Sequence, residues 1–218
     1  MILQASADES IPPIFQTLNS GISQVITVQS ISPEKSKAVL SGWEKKDGDW
    51  QKISAIEAVL GRNGFALEGQ KQEGDGKTPS GIFPLKRAFG YLKKVSTGLE
   101  YRQVTSQDFW IDDPAADQYN RWVTVVGTPQ ADSFERLKRD DDLYKYGIVI
   151  EYNTDPVIPG KGSAIFIHVW RGADGGPTAG CVGVSQENMV KLLSWLKRSQ
   201  NPAIILGEKN QMNFLKNQ

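Results

Sequence analysis

Lys37-Ala38-Val39-Leu40-Ser41-Gly42-Trp43, then Lys46-Asp47-Gly48-Asp49-Trp50 and Gln51-Lys52-Ile53, is the stretch on which the fold turns. Apolar and aromatic residues flank an Asp-Gly pair, and Asp-Gly accepts the positive φ angles that a tight hairpin turn requires. Leu40 to Trp43 and Trp50 to Ile53 therefore read as two strands of one hairpin. Gln24 to Gln29 (Gln-Val-Ile-Thr-Val-Gln) precedes them as a third strand, and three aligned strands begin a sheet. Outward from this nucleus, further short strands are expected at Ala58-Val59-Leu60, Trp122 to Val126, Gly147 to Tyr152, Ser163 to His168 and Ala203 to Leu206. Gly, Pro, Asn and Asp clusters separate them at irregular spacing, so the chain reads as mainly β with long loops.

Two helices are expected to interrupt this pattern. After Ser185, residues Met189, Leu192, Leu193 and Leu196 fall at i, i+3, i+4 and i+7, with Glu187 near the start and Lys197-Arg198 near the end, before Asn201-Pro202 stops the element. A second helix is expected from about Ser133 to Tyr146, with Leu137 and Leu143 packed on the sheet and the charged run Arg136 to Asp142 forming a solvated face. Residues 1–20, with Pro12-Pro13 and little periodicity, read as a loose lead-in. Residues 21–218 read as one domain, since a chain of this length can bury one substantial core and all-β domains of this size are commonly undivided.

The 25 basic and 25 acidic residues cancel, which disfavours nucleic acid, an anionic membrane surface or a strongly acidic substrate as principal partner. A neutral or zwitterionic polymer remains compatible. No run of 18 apolar residues exists, so no membrane span is expected. One cysteine and one histidine, without a CxxC or HExxH motif, fall short of the three or four ligands of a zinc site; neither a metal nor another cofactor is expected. Ala5-Ser6-Ala7 has the small-x-small form of a signal-peptidase site without a basic or apolar leader before it, and reads as the remnant of a removed leader. A single thiol is compatible with export, because no second cysteine can trap it in a disulfide.

His168 and Cys181, the sole members of their residue types, stand thirteen positions apart in Ile167-His168-Val169-Trp170-Arg171-Gly172-Ala173-Asp174-Gly175-Gly176-Pro177-Thr178-Ala179-Gly180-Cys181-Val182. Taken singly, a lone cysteine is most often a small core hydrophobe and a lone histidine a hydrogen-bonded structural residue. Their neighbours point to chemistry. Cys181 lies in a glycine turn, and His168 ends the buried run Ala164-Ile165-Phe166-Ile167. A thiol with a free pKa of about 8.5 is only slightly ionised near neutrality, and an adjacent imidazole is the usual activator. The helix after Ser185 begins too far on for its dipole to lower the thiol pKa more than slightly, so activation falls mainly to His168.

Gly74-Asp75-Gly76-Lys77-Thr78-Pro79-Ser80-Gly81-Ile82-Phe83-Pro84 contains the Gly-Lys-Thr of a phosphate loop, but Lys71 stands where the first glycine of that motif belongs. Pro79 also removes a backbone donor where the following helix would begin. Nucleotide binding is therefore not expected. Together, Asp75 to Leu85 and the turn Thr178-Ala179-Gly180-Cys181-Val182 resemble the L,D-transpeptidase, or YkuD-type, catalytic domain of bacterial cell-wall enzymes. The resemblance extends over roughly Gln24 to Gly207, with weaker support from Tyr144 to Asn153 and Ser163 to His168.

That resemblance implies a β-sandwich with a few short helices, in agreement with the pattern above. It implies Cys181 as the acylated nucleophile, His168 as base and later acid, and the backbone carbonyl of Val169 as the group holding the imidazole tautomer. The backbone N–H groups around Gly180 and Cys181 would face the oxyanion, since glycine lets the main chain approach a scissile carbonyl closely. The implied substrate is the peptidoglycan stem peptide and the implied location is periplasmic or extracellular. Many members carry histidine before the Gly-Cys pair and arginine or asparagine two residues after the cysteine; here those places hold Ala179 and Gly183. Arg171 is a candidate for the missing cation, an exposed loop arginine being the alternative reading. Thr178, Trp170 and Tyr152 are candidates for the substrate cleft, the two aromatics having packing as their simpler role. Asp75 and Lys77 read as fixing the loop beside the site. A wall-binding module with a decayed site is the rival suggested by Ala179 and Gly183. A papain-like protease is disfavoured, because that family places its cysteine before its histidine.

Overall fold

The computed structural model describes residues 11–30 and 35–208, so the Ala5-Ser6-Ala7 reading lies outside the described residues. The chain is mainly β. In order along it come β1 (Gln24–Ser30), β2 (Lys37–Lys46), β3 (Asp49–Val59), β4 (Gly81–Pro84), β5 (Arg87–Gly90), β6 (Glu100–Gln103) and β7 (Asp108–Ile111). Then follow β8 (Trp122–Thr124), β9 (Phe134–Arg136), β10 (Tyr146–Val149), β11 (Phe166–Val169), β12 (Val182–Val184), α1 (Gln186–Trp195) and β13 (Ala203–Leu206). Ten strands form a curled sheet in the order β4-β13-β1-β2-β3-β12-β11-β10-β5-β6, and β8-β7-β9 form a second, small sheet.

The expected hairpin is the centre of the large sheet. β2 and β3 pair antiparallel from Lys46↔Asp49 to Lys37↔Val59 around a turn in which Asp47 and Gly48 both have positive φ, at 52° and 97°. A bulge after Gly42 shifts the register by one, and the expected Trp50–Ile53 and Ala58–Leu60 segments prove to be mostly one long strand. β1 lies antiparallel to β2 and parallel to β13. It is buried on both faces: Ile26 and Val28 enter the main core, while Val25 faces a second cluster with Trp43, Ile82 and Ile205.

Of the expected lead-in, residues 11–20 are described, and part of that stretch packs on this second cluster. A single helical turn at Pro13–Thr17 buries Ile14 and Phe15, and the Phe15 ring sits edge-on to Trp43 and Trp50 at 5.3 and 4.9 Å. Prolines that looked like linker residues instead aim two large apolar side chains at an otherwise open face of the sheet.

The helix after Ser185 forms as its periodicity dictates. Ser185 caps it by accepting the Asn188 N–H at 3.2 Å, Met189, Leu192 and Leu193 are buried, and it stops at Trp195, leaving Lys197 and Arg198 beyond its last turn. The helix expected at Ser133 to Tyr146 does not exist. Phe134–Arg136 instead pairs with β7, and the following aspartates turn the chain, with Asp141 accepting the Leu143 N–H at 3.1 Å and binding Arg139 through both oxygens. Such short carboxylate side chains offer the backbone an alternative to helical hydrogen bonds. No helix among the described residues is long and apolar enough to cross a membrane.

The period-two alternation of β10 and β11 sets where a site can lie. Ile148, Ile167 and Val169 point into the core beneath α1, whereas Phe166 belongs to a separate aromatic cluster on the other face. Its ring meets Trp110, Phe89 and Tyr144 at centroid distances of 5.1, 5.2 and 5.7 Å, all edge-on. Phe166→Ala is expected to lower unfolding stability by about 3–5 kcal/mol, measurable by urea titration, because this fully buried ring would leave a cavity between four packed elements.

Candidate active site

β11 and β12 run parallel with Ile167↔Val182 and His168↔Gly183 in register. Cys181 immediately precedes β12 and so falls beside Phe166, whose backbone N–H donates to Sγ at 3.4 Å. Paired residues of neighbouring strands share a face, and faces alternate with period two. Cys181 and His168 therefore project to the same side of the sheet, diagonally across one strand spacing. Both line a single cleft of about 580 Å³.

His168 is 7% exposed, and its Nδ1 lies 2.7 Å from the Val169 carbonyl oxygen. A carbonyl can only accept, so Nδ1 carries the proton and Nε2 is the free base. Tyr144 packs its ring edge-on against the imidazole at 5.3 Å. Burial pushes the His168 pKa down to about 4, against the Val169 hydrogen bond, with the Arg139 and Arg171 charges adding to the fall. Burial likewise pushes the Cys181 thiol up to about 12, only partly offset by the Phe166 N–H. The resting couple is thus thiol and neutral imidazole, not a preformed thiolate. In this resting state Sγ donates to the Ala164 carbonyl at 3.2 Å.

The Asp-Gly-Lys-Thr-Pro-Ser-Gly segment packs against the turn that leads into Cys181. Asp75 accepts hydrogen bonds from Lys71 Nζ at 2.7 Å, from the Gln72 N–H at 2.9 Å and from the Lys77 N–H at 2.8 Å. Burial raises the Asp75 pKa, but these donors outweigh it and hold the carboxyl below its ordinary range. Thr78 accepts the Gly61 N–H at 2.9 Å, and the Lys77 carbonyl presses against the Gly180-Cys181 turn. A Cβ on Gly180 would lie 2.9 Å from that oxygen, at φ +154°, so the turn before Cys181 requires glycine twice over. Asp75→Ala would strand Lys71, which is 4% exposed, as a buried unpaired cation. It is expected to cost about 3–5 kcal/mol of stability, read from the shift of the denaturation midpoint.

The structure sorts the candidate residues. Cys181, His168, Gly180, Thr178 and Arg171 line the cleft. Tyr152 does not: its ring packs edge-on against Phe83 at 5.3 Å in the main core. Nor does Trp170, which lies where a Cβ on Gly175 or Gly183 would be, at 2.7 and 3.1 Å. Together with Val59, at 2.6 Å from such a Cβ, it leaves no room for any side chain at position 183. The Gly180 N–H is already donated to Thr178 Oγ1 at 3.1 Å, whose hydroxyl in turn donates to the Cys181 carbonyl at 2.7 Å. Thr178 therefore braces the turn, and Gly180 supplies conformation where a free backbone donor was expected.

Several cleft residues carried no signal in the sequence. Arg139 lines the cleft and packs its guanidinium 5.2 Å from the Tyr144 ring centroid, so the Arg136 to Asp142 run is not a purely solvated face. Asp112 and Glu135 line it too; burial and their negative neighbours raise both carboxyls above the usual range. Lys71 and Glu73 come from the loop before Asp75. These five residues arrive from four separate segments, one of them strand β9, and have no common spacing. Their side chains set basic and acidic groups side by side in the cleft.

Comparison with known proteins adds family evidence. Residues 34–205 match the family model described as YkuD, L,D-transpeptidase catalytic domain. No curated protein matches the chain. The solved structure of Bdellovibrio bacteriovorus Bd1075 is 18% identical, with a TM-score of 0.46, over 88% of this chain and 52% of that one. The chain thus spans about half the length of that protein.

Proposed function

The chain belongs to the YkuD family of L,D-transpeptidase catalytic domains, and from that membership we propose that residues 21–218 act as one cysteine-dependent acyl transferase on peptidoglycan stem peptides in the periplasm or outside the cell. The observation that carries this reading is that Cys181 and His168 share one cleft, with the Val169 carbonyl accepting the Nδ1–H hydrogen bond and leaving Nε2 free to accept the thiol proton.

In the first half-reaction the Sγ proton passes to Nε2 as Sγ bonds the carbonyl carbon between the third stem residue and the terminal D-alanine. The carbonyl oxygen becomes an oxyanion, and the donor we assign to it is the Cys181 N–H, since that of Gly180 is engaged by Thr178. Collapse breaks the C–N bond, and His168 gives the proton to the departing D-alanine nitrogen. The thioester is then attacked by an amine of a neighbouring stem, whose proton passes to Nε2 and on to the released sulfur. Water in place of the amine makes the same site an L,D-carboxypeptidase. In this reading Arg171 and Arg139, which line the cleft, bind substrate carboxylates, and Glu73, Asp112 and Glu135 bind an amine.

Because burial keeps the resting thiol protonated, attack in this reading depends on Nε2 taking the Sγ proton. Incubation with purified tetrapeptide muropeptides tests the reading by product mass. Loss of D-alanine with a joined dimer supports transfer, loss with a tripeptide supports hydrolysis, and unchanged muropeptides with no adduct on the protein would return the chain to the wall-binding alternative.

A further inference from the structure

Gly162-Ser163-Ala164, the segment leading into β11, is held at three successive residues by side chains from elsewhere. The Gly162 N–H donates to Tyr119 Oη at 3.0 Å, Ser163 Oγ donates to Glu73 Oε2 at 2.6 Å, and the Ala164 N–H donates to Asn120 Oδ1 at 3.1 Å. Tyr119 also donates to the same Glu73 oxygen, which closes the network.

Ala164 needs such a clamp. Its φ is +53°, in the left-handed region that a Cβ disfavours, and a non-glycine residue stays there only where its surroundings impose it. Asn120 can impose it because it is 1% exposed and has every hydrogen-bonding valence filled. Its Oδ1 also accepts from Trp110 Nε1 at 2.8 Å, and its Nδ2 donates to the Tyr152 and Asn153 carbonyls at 3.1 and 2.6 Å. Two donors on one side and two carbonyls on the other fix the amide's orientation, and rotating it would break several buried bonds at once.

The consequence is felt one peptide further on. The Ala164 carbonyl direction follows from this backbone conformation, and that carbonyl is the acceptor of the Cys181 thiol. Resting on the reading of Cys181 as the nucleophile, we propose that Asn120 is a positioning residue for the reaction: it holds Ala164 in the left-handed conformation so that its carbonyl parks the Cys181 thiol at the cleft wall until substrate draws it toward His168.

The test uses the whole chain and two readouts, turnover of a tetrapeptide per titrated active site and iodoacetamide alkylation followed by intact mass. The second is specific to one atom, because Cys181 is the only cysteine. Asn120→Ala should lower kcat by about 10–100-fold, the scale of a misplaced reacting atom, with KM changed by no more than about twofold. The same substitution should speed alkylation at pH 8, since the thiol loses its carbonyl partner. The deciding variant is Asn120→Ala combined with Ala164→Gly. Glycine takes positive φ unaided, so the double variant should recover most of the lost kcat and slow alkylation again.

A purely structural Asn120 would not be rescued in this way. A double variant as slow as Asn120→Ala, or an Asn120→Ala protein unchanged in both readouts, overturns the proposal. Should Asn120→Ala fail to fold, Ala164→Val decides, because position 164 is half-buried and opens onto the cleft, and a β-branched side chain cannot keep that φ. It should show the same paired changes, and unchanged kcat and alkylation would refute the clamp. Should wild-type protein form no acyl adduct at all, the nucleophile reading fails, while the alkylation comparison still judges whether Asn120 and Ala164 hold the thiol.

Discussion

Cys181→Ala is expected to remove acyl transfer from tetrapeptide by about 10⁴-fold or more, because the covalent intermediate is formed on its sulfur. The expectation is severe because the chain has no second thiol to substitute. Folding should survive. The alanine keeps the Cβ that packs in the aromatic cluster and loses only Sγ, with its hydrogen bonds to the Phe166 N–H and the Ala164 carbonyl. Two modest bonds of this kind contribute about 1 kcal/mol each. Intact-protein mass after incubation with substrate checks both halves. A thioester adduct on wild type and none on the variant is the expected pair, with matching near-ultraviolet circular dichroism. An adduct on the variant would take Cys181 out of the nucleophile's role.

The second large effect concerns His168. Replacement by glutamine or alanine is expected to lower kcat by about 10²–10⁴-fold, the usual worth of a positioned general base. Its signature is the pH profile. With a histidine pKa near 4 and a thiol pKa near 12, wild-type acylation should fall away below about pH 5, as the imidazole takes up a proton. It should run flat from there to about pH 9. In the variant no neutral base remains, so the rate should climb with pH throughout that window as thiolate accumulates. A wild-type profile that instead rises tenfold per unit through neutrality would mean that the thiolate, not the His168-assisted thiol, is the attacking species.

The same shift has a consequence for stability, with its sign set by linkage. An unfolded histidine titrates near 6.5, so between about pH 6.5 and 4 the unfolded chain binds a proton that the folded chain refuses. Burying the neutral ring is therefore without this penalty above about pH 6.5 and costs up to about 3 kcal/mol as pH falls through 4. Replacing His168 with glutamine should flatten that part of the acid-denaturation curve.

Much of this protein was legible in its residues. Asp47-Gly48 between apolar runs dictated the central hairpin, because few dipeptides accept positive φ twice in succession. The Met189, Leu192 and Leu193 spacing dictated α1 for the equally local reason that one helical face must be buried. Cys181 and His168 could be named because they are close along the chain and of rare types, and the Val169 carbonyl because the resemblance to the L,D-transpeptidase domain implied it. Failures arose where tertiary partners outweighed local pattern. The Ser133 to Tyr146 segment has helical spacing, yet its aspartates turn the chain and β7 claims Phe134–Arg136. Ile14 and Phe15 look like part of a linker until Trp43 and Trp50 are brought opposite them.

A hairpin, a helix and a Cys-His couple each depend on residues within about fifteen positions of one another, and over that range the sequence alone was decisive. The ionisation state of the couple was not decided there. Depth of burial makes Cys181 a thiol and His168 a neutral base, and burial is a property of everything packed around them. The mixed-charge wall from Arg139, Asp112 and Glu135, the closed space over Gly183 and the Asn120 hold on Ala164 were likewise set only by folding. Each needs groups far apart in the chain to meet at hydrogen-bonding or van der Waals distance, and no spacing rule encodes such a meeting.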